Sequence, residues 1–167
     1  MGNPYPKLTL GTVLQASFKG FDFRTELYAS IGNSVANDAL VRMNPARGLN
    51  FISGTQTPYW TGAGSSNTHP RLSLSDPNGN FTRNSSFFIQ DGSFMPVKLI
   101  QLGYTLPKSL LKNGSIRIYA SAQNLFTFTK YEGLNPEIPF SGILRYGIDN
   151  GQTPIPKFMN VGMNINF

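Results

Sequence analysis

The sequence has no cysteine and a single histidine, His69, among its 167 residues. Without cysteine, disulfide bonds and thiolate metal sites are excluded. A nucleophilic hydrolase needs a base beside its nucleophile, yet the histidine stands in the loop-like stretch SSNTHP, and no serine lies in a G-x-S-x-G motif. We therefore expect His69 to be an ordinary loop residue and the chain not to be an enzyme.

Charged residues are also scarce, at 13%, against about 25% in ordinary globular proteins. The net charge is +6, but the 14 lysines and arginines are scattered, which argues against a nucleic-acid partner because such proteins carry a basic stripe. No apolar run approaches the ~18 residues of a transmembrane helix. The opening MGNPYPKLTL lacks the basic and apolar regions of a signal peptide.

What the sequence does contain is long alternation of apolar and polar residues, beginning with LTLGTVLQASF and FDFRTELYASI. This period of two predicts strands, and Lys19-Gly20 between them fits a tight hairpin turn. The runs exceed the ~5–6 residues of common strands and match the ~9–11 with which a tilted strand crosses a bilayer. Asp22, Arg24 and Glu26 share one face of the second run, as in a barrel whose other face meets lipid.

Five strands are predicted, joined alternately by short and long connections. They lie near residues 6–18, 21–33, 94–106, 115–129 and 157–167. Outer-membrane barrels likewise alternate short periplasmic turns with long extracellular loops. Residues 34–86 lack sustained alternation, although ANDALVRM at 36–43 fits a short helix. Five strands cannot close a barrel, and open edges in lipid leave backbone groups unpaired, so we expect an all-β, antiparallel segment of a larger barrel.

Three blocks resemble the C-terminal region of SusC/RagA-type TonB-linked outer-membrane proteins of the Bacteroidetes: DGSFMPVKLIQLGYTLP, SAQNLFTFTKYEGLNPE and VGMNINF. KGFDFRTELYASIGN resembles the preceding hairpin of that family. The chain departs from the family at Pro96 and Asn135. Because proline cannot donate a ladder hydrogen bond, we expect a bulge or a strand start at Pro96. At Asn135 the family usually has aspartate.

The resemblance implies a barrel of about 22 strands that encloses a plug, located in the outer membrane. It implies uptake of oligosaccharides or peptides, energised by the inner-membrane TonB complex. The implied partners are a SusD-like surface lipoprotein that acts as a lid, the lipid bilayer and the barrel assembly machinery. Residues 1–167 would then be the C-terminal barrel segment, without the plug and not competent alone.

Several side chains are candidates for the site. Loop aromatics could stack on sugar rings or contact the lid: Tyr59, Trp60, Phe140 and Tyr146. Polar residues of the strands are expected to face the lumen: Arg24, Glu26, Arg117 and Gln123. The resemblance implies that the terminal strand is an assembly signal carried by Met163, Ile165 and Phe167. We expect no catalytic, cofactor-binding or metal-binding residue.

Two further motifs favour ordinary loops. Glu132 and Glu137 could pair as in a glycosidase, but acids in a proline-rich loop are usually solvated. DPNGN at 76–80 begins like a calcium loop, yet that loop needs Gly and Glu where Phe81 and Phe87 stand. A turn is therefore predicted there.

Two other interpretations of the whole chain stay open. One is a soluble all-β carbohydrate-binding module, in which a second sheet would cover the apolar faces. The other is a small structural outer-membrane protein that closes a barrel by self-association.

Overall fold

The computed structural model describes residues 2–42, 59–73, 75–80, 82–107, 114–137 and 145–167. About half of them form strands. The elements in chain order are β1 (Leu8–Phe18), β2 (Phe21–Ile31), β3 (Ser34–Asn37), α1 (Asp38–Arg42), a 3₁₀ turn (Ser86–Phe88), β4 (Ile89–Asp91), β5 (Phe94–Thr105), β6 (Ser115–Gln123), β7 (Thr127–Thr129), β8 (Ile148–Asp149) and β9 (Phe158–Asn166). No helix in the described ranges is long and apolar enough to cross a membrane.

The main sheet is antiparallel, with the strand order β1-β2-β5-β6-β9. The β1–β2 hairpin pairs without interruption from Leu8–Ile31 to Phe18–Phe21. Its turn is the predicted one: Lys19 and Gly20 have φ angles of 48° and 88°. Two consecutive positive φ values match the turn whose twist suits a hairpin.

The pairing register collects most apolar residues of the five long strands on one face. Along one row, Ala16 pairs with Phe23, Phe23 with Leu102, Leu102 with Ala120 and Ala120 with Val161. Directly opposed residues point to the same side of a sheet, so the row forms a continuous apolar band. Nothing among the described residues covers this band, since Val161 is 82% exposed.

The opposite face is mainly polar, with Val13, Leu99 and Phe158 in one row near its loop end. A matching row runs Gln15, Arg24, Gln101, Ser121 and Asn160. The two-faced sheet predicted from alternation is therefore present.

Two irregularities interrupt the main sheet near its loop end, which is the end opposite the Lys19-Gly20 turn. A bulge leaves Lys98 unopposed, because Glu26 pairs with Leu99 and Leu27 with Val97. It lies two residues beyond Pro96, where the sequence suggested a bulge or a strand start. The predicted strand 115–129 is wrong as a single element, because Asn124 takes a positive φ of 53°. The chain breaks there into β6 and β7, and β7 pairs with the start of β5.

A second, small sheet lies at the loop end, in segments predicted to be loops. Strand β3 pairs antiparallel with β4 and parallel with β8. The short helix predicted within 36–43 is α1, which follows β3 directly. Buried apolar residues include Val35 of this sheet, Phe88 before β4 and Tyr131 after β7. The small sheet leaves the apolar band exposed, so the two sheets do not form the sandwich that a soluble module would need.

Candidate functional site

The polar face of the main sheet is organised by an ion pair that spans three strands. The Arg117 guanidinium donates to the Asp22 carboxylate, with Nε–Oδ1 at 2.8 Å and Nη2–Oδ2 at 2.5 Å. Strand β5 lies between them, and its residue at this point is Gly103, which pairs with Asp22. A Cβ on Gly103 would lie 2.5 Å from Asp22 Oδ1 and 2.6 Å from Arg117 Nη2. A side chain at this position would therefore force the ends of Asp22 and Arg117 to move.

A second ion pair lies beside the first, within strand β2. The Arg24 Nε donates to Glu26 Oε1 at 3.0 Å. The two predicted lumen residues Arg24 and Arg117 line a hollow of about 370 Å³ with Asp22, Gln15 and Gln101. Each guanidinium has its own carboxylate here, so the two pairs together add no net charge to this wall.

Gln123 marks the loop end of the same polar face. It pairs with Leu99 on one side and with Phe158 on the other. The four predicted lumen residues therefore share one face of the sheet, but Gln123 lies away from the hollow that the arginines line.

The loop end is tied together by a buried tyrosine–aspartate contact. Tyr131 and Asp149 are only 5% and 2% exposed, and the tyrosine hydroxyl donates to Asp149 Oδ2 at 2.5 Å. The other carboxylate oxygen accepts from the N–H groups of Gly151 and Gln152. Burial, followed by the hydrogen bond to Asp149, raises the pKa of Tyr131 well above its ordinary range.

A half-buried ion pair joins the loop after β7 to the bulge of β5. The Lys98 ammonium lies 2.5 and 2.7 Å from the two carboxylate oxygens of Glu137. Asn135 holds this glutamate in place, since its Oδ1 accepts from the Glu137 N–H at 2.9 Å and its Nδ2 donates to the Glu137 carbonyl at 3.1 Å. An aspartate carboxylate could only accept, so the amide makes a donor contact that a carboxylate at this position could not.

The acids considered for a glycosidase pair are held by different partners. Glu137 is bound to Lys98, whereas Glu132 accepts from Gln90 Nε2 at 3.0 Å. The arrangement fits structural anchoring of a loop.

Tyr146 lines a cavity at the loop end of the main sheet. Its ring stacks on Tyr5, with centroids 4.8 Å apart and planes at 23°. The cavity measures about 680 Å³, and prolines contribute much of its wall: Pro4, Pro6, Pro136, Pro154 and Pro156. Phe140, predicted with Tyr146, lies outside the described residues.

Tyr59 and Trp60 lie in a different place, on the loop between α1 and the 3₁₀ turn. The Trp60 N–H donates to the His69 carbonyl at 3.2 Å, and the Tyr59 ring meets the His69 ring edge-on at 6.0 Å. Trp60 and His69 line a cleft of about 510 Å³. Tyr146 therefore lines one cavity, whereas Trp60 lines the other and Tyr59 packs beside it.

The predicted turn at 76–80 is present beside this cleft. The Gly79 N–H donates to the Asp76 carbonyl at 2.9 Å, which closes the turn. The Asp76 carboxylate accepts from the N–H groups of Asn80 and Thr82. Within the described ranges, no three potential metal-ligating side chains come together.

The residues predicted as an assembly signal lie at the end of the apolar band. Met163 pairs with Ile118 and Ile165 with Ile116. Phe167 follows the last strand and is fully exposed.

Comparison with known proteins connects this geometry to a class of receptors. No protein-family model matches the chain. Over 176 residues it is 29% identical to the TonB-dependent receptor P3 of Formosa agariphila, an alignment that covers 100% of this chain and 17% of the receptor. The chain is homologous to TonB-dependent receptors. One of these homologues is the TonB-dependent receptor SusC of Bacteroides thetaiotaomicron, which is 27% identical over 168 residues, 98% of this chain and 15% of SusC.

Solved structures of a peptide importer have the same fold. The RagAB peptide importer in its open-open state superposes with a TM-score of 0.76 at 26% identity, over 97% of this chain and 17% of the importer chain. A structure of the RagAB peptide transporter gives 0.77 at 27% identity. The chain therefore spans less than a fifth of the receptors that it matches. The predicted fold class is confirmed, since the antiparallel sheet matches a section of these receptors.

Proposed function

We propose that this chain is the C-terminal barrel section of a SusC/RagA-like importer that takes up nutrients across the outer membrane. The observation that carries the proposal is homology along the whole chain to TonB-dependent receptors. The relatives are named receptors and importers, which favours transport over catalysis. Because the chain matches only a small part of each relative, it would work as one section of a larger wall.

The two faces of the main sheet suit the wall of a membrane barrel. Strands β1 and β2 have 11 residues each, roughly 36 Å at about 3.3 Å per residue. Tilted by about 45°, they cover roughly 26 Å, close to the ~25 Å apolar band of outer-membrane barrels. The apolar band would face lipid, and the face that carries Asp22, Arg24 and Arg117 would face the lumen.

Aromatic residues at the turn end support this orientation. Phe18 and Phe21 flank the hairpin turn on the apolar face, and the Phe21 ring lies 4.5 Å from the Tyr104 ring. The Lys19 ammonium lies 5.2 Å from the centre of the Phe18 ring. Outer-membrane barrels carry such girdles at both interfaces. The turn end would then lie at the periplasmic interface and the small sheet outside the cell.

The outer edges of β1 and β9 explain why the section needs the rest of a barrel. Neither strand has a further neighbour in the part of the chain that the structure describes. Unpaired backbone groups are not viable in lipid, so we propose that both edges pair with further barrel strands.

The proposed partners follow from the class of transporter. A SusD-like surface lipoprotein would act as the lid, the TonB complex would supply energy, and the barrel assembly machinery would recognise β9. The loop aromatics Tyr59, Trp60, Phe140 and Tyr146 are proposed to contact ligand or lid. Met163, Ile165 and Phe167 are proposed to form the assembly signal.

Uptake by the full receptor that carries this chain tests the proposal. Cells that express it should accumulate labelled oligosaccharides or peptides, and accumulation should stop when TonB is depleted. Fractionation should place the receptor in the outer membrane. In contrast, the 167 residues expressed alone should aggregate, because the apolar band and both edges are exposed. A soluble, monomeric, cooperatively melting sample would contradict the proposal.

A further inference from the structure

We propose that the cleft beside Trp60 binds an anionic sugar, that is, a saccharide that carries a carboxylate or a sulfate. The inference rests on the proposed transport function and narrows its substrate class. The residues that line the cleft combine one aromatic face, several amides and one cation: Trp60, Asn67, His69, Arg71, Asn78 and Asn80. Its volume of about 510 Å³ lies within the usual range of ligand pockets, about 300–1,000 Å³.

The aromatic wall of the cleft is anchored to the buried part of the loop end. His69 contacts Tyr59 edge-on on one side and Phe87 on the other, with centroids 6.0 and 5.5 Å apart. Phe87 in turn meets Phe88 at 5.2 Å, and Phe88 is only 6% exposed. Trp60 is tied to this chain of rings through the His69 carbonyl. A wall held in this way presents a fixed apolar surface, 40% exposed at Trp60, to the cleft.

The amides of the cleft have free hydrogen-bonding capacity. The side chains of Asn67, Asn78 and Asn80 are exposed, and none makes a hydrogen bond to another group in the described ranges. Each primary amide offers two donor hydrogens and an acceptor oxygen. Three such groups beside an aromatic face suit a ligand with many hydroxyl groups, since a hydroxyl both donates and accepts.

The described lining of the cleft carries one cation, Arg71, and no acid. Arg71 is exposed and makes no ion pair within the part of the chain that the structure describes. The nearby acid, Asp76, is only 8% exposed. Its carboxylate accepts from the N–H groups of Asn80 and Thr82 and from the Thr82 hydroxyl, at 2.8 to 3.1 Å. A guanidinium binds carboxylates and oxyanions through two parallel hydrogen bonds, so an anionic substituent on the sugar completes the site.

Calorimetry with the full receptor in detergent tests the inference. The probes are tetragalacturonate, a sulfated carrageenan tetrasaccharide, neutral galactotetraose and tetraglutamate. The variants are Arg71→Gln and Trp60→Ala. The matched control is Arg83→Gln, which removes an exposed arginine of the same loop from outside the cleft lining.

The expected result is a preference of about tenfold for an acidic over the neutral tetrasaccharide, the size of one charge-assisted contact. The two acidic probes distinguish a carboxylate-bearing from a sulfate-bearing ligand. Arg71→Gln should remove the preference, Trp60→Ala should weaken acidic and neutral saccharides alike, and Arg83→Gln should leave both affinities unchanged.

Several results would overturn the inference. They are equal affinity for acidic and neutral saccharides, no binding of either acidic saccharide at millimolar concentration, tighter binding of tetraglutamate, or equal effects of Arg71→Gln and Arg83→Gln. If Arg71→Gln changed only the amount of co-purifying lipoprotein, the cleft would be a lid contact instead. Uptake of neutral sugars or peptides without acidic preference would overturn the cleft's role while leaving transport intact. If cells that express the full receptor showed no TonB-dependent uptake of any probe, the proposed transport function would be refuted. Calorimetry would still measure whether the cleft binds acidic saccharides.

Discussion

Replacing Gly103 by alanine should destabilise the sheet, although the change adds only one methyl group. The added Cβ would lie 2.5 Å from Asp22 Oδ1 and 2.6 Å from Arg117 Nη2. Both atoms belong to the ion pair that crosses β5 at this residue. Either the pair separates or the strands shift, because a side chain cannot share that space.

The magnitude follows from the exposure of the pair. Hydrogen bonds to charged groups contribute about 1.5–3 kcal/mol when buried. The side chains of Arg117 and Asp22 are 24% and 34% exposed, so solvent screening reduces the expected loss to about 1 kcal/mol. Displacing strand backbone instead would add to this figure.

Gly11 provides the matched control. It lies on the same polar face, in β1, and a Cβ there would meet no atom within 4 Å. Gly11→Ala should therefore be neutral or stabilising by up to about 0.5 kcal/mol, because alanine reduces the freedom of the unfolded chain.

Urea unfolding of the full receptor in detergent, followed by tryptophan fluorescence and by heat-modifiable gel mobility, measures both variants. In an Arg117→Gln background, Gly103→Ala should lose most of its effect, since the ion pair is already gone. Equal stabilities of Gly103→Ala and Gly11→Ala would show that the Cβ does not disturb the ion pair. So would an undiminished effect of Gly103→Ala in the Arg117→Gln background.

Three further predictions concern the loop end and the terminal strand. Tyr131→Phe should destabilise the loop end by about 1–3 kcal/mol, because Asp149 loses a buried hydrogen bond. Proteolysis of the segment that follows Lys130 should be faster, and an unchanged rate would contradict this prediction. Because the pKa of Tyr131 is raised in the fold, its stabilising contribution is fully present below about pH 10. The contribution is lost as the pH rises through the raised pKa. The phenylalanine variant should lack this pH dependence. Lys98→Met should lower the free energy of unfolding by about 1 kcal/mol more than the double variant Lys98→Met with Glu137→Gln, because the single variant leaves a half-buried carboxylate unpaired. Urea unfolding compares the two variants, and equal losses of stability would argue against the ion pair. Phe167→Ser should lower the amount of assembled receptor in the outer membrane, measured by heat-modifiability, and unchanged assembly would remove the proposed role of that residue.

The long strands were predictable because alternation is a property of neighbouring residues. A strand places successive side chains on opposite faces, so LTLGTVLQASF and FDFRTELYASI could be assigned without knowing their partners. The hairpin at Lys19-Gly20 was equally local. The same reasoning failed at Asn124, because residues 115–129 alternate well enough to hide a single residue with positive φ.

The site was predictable only in part. The two-faced sheet placed Arg24, Glu26 and Arg117 on the polar face, as expected. That Asp22 is the partner of Arg117, 95 residues away, depends on the register of three strands. Gly103 carried a signal, since a glycine on the polar face of a long strand often marks a close approach. The loop aromatics could be identified as candidates, but alternation does not extend into loops, so their division between two cavities could not be foreseen.

Short stretches of sequence are enough to predict the long strands, their apolar and polar faces, the first hairpin and the resemblance to a class of receptors. These depend on side-chain order over a few residues and on blocks of sequence that can be compared directly. Contacts between segments far apart in the chain become visible only in the fold. They are the Asp22–Arg117 pair across Gly103, the Tyr131–Asp149 contact and the small sheet that gathers β3, β4 and β8. The physical reason is that such contacts depend on strand register and loop closure, which no local pattern encodes.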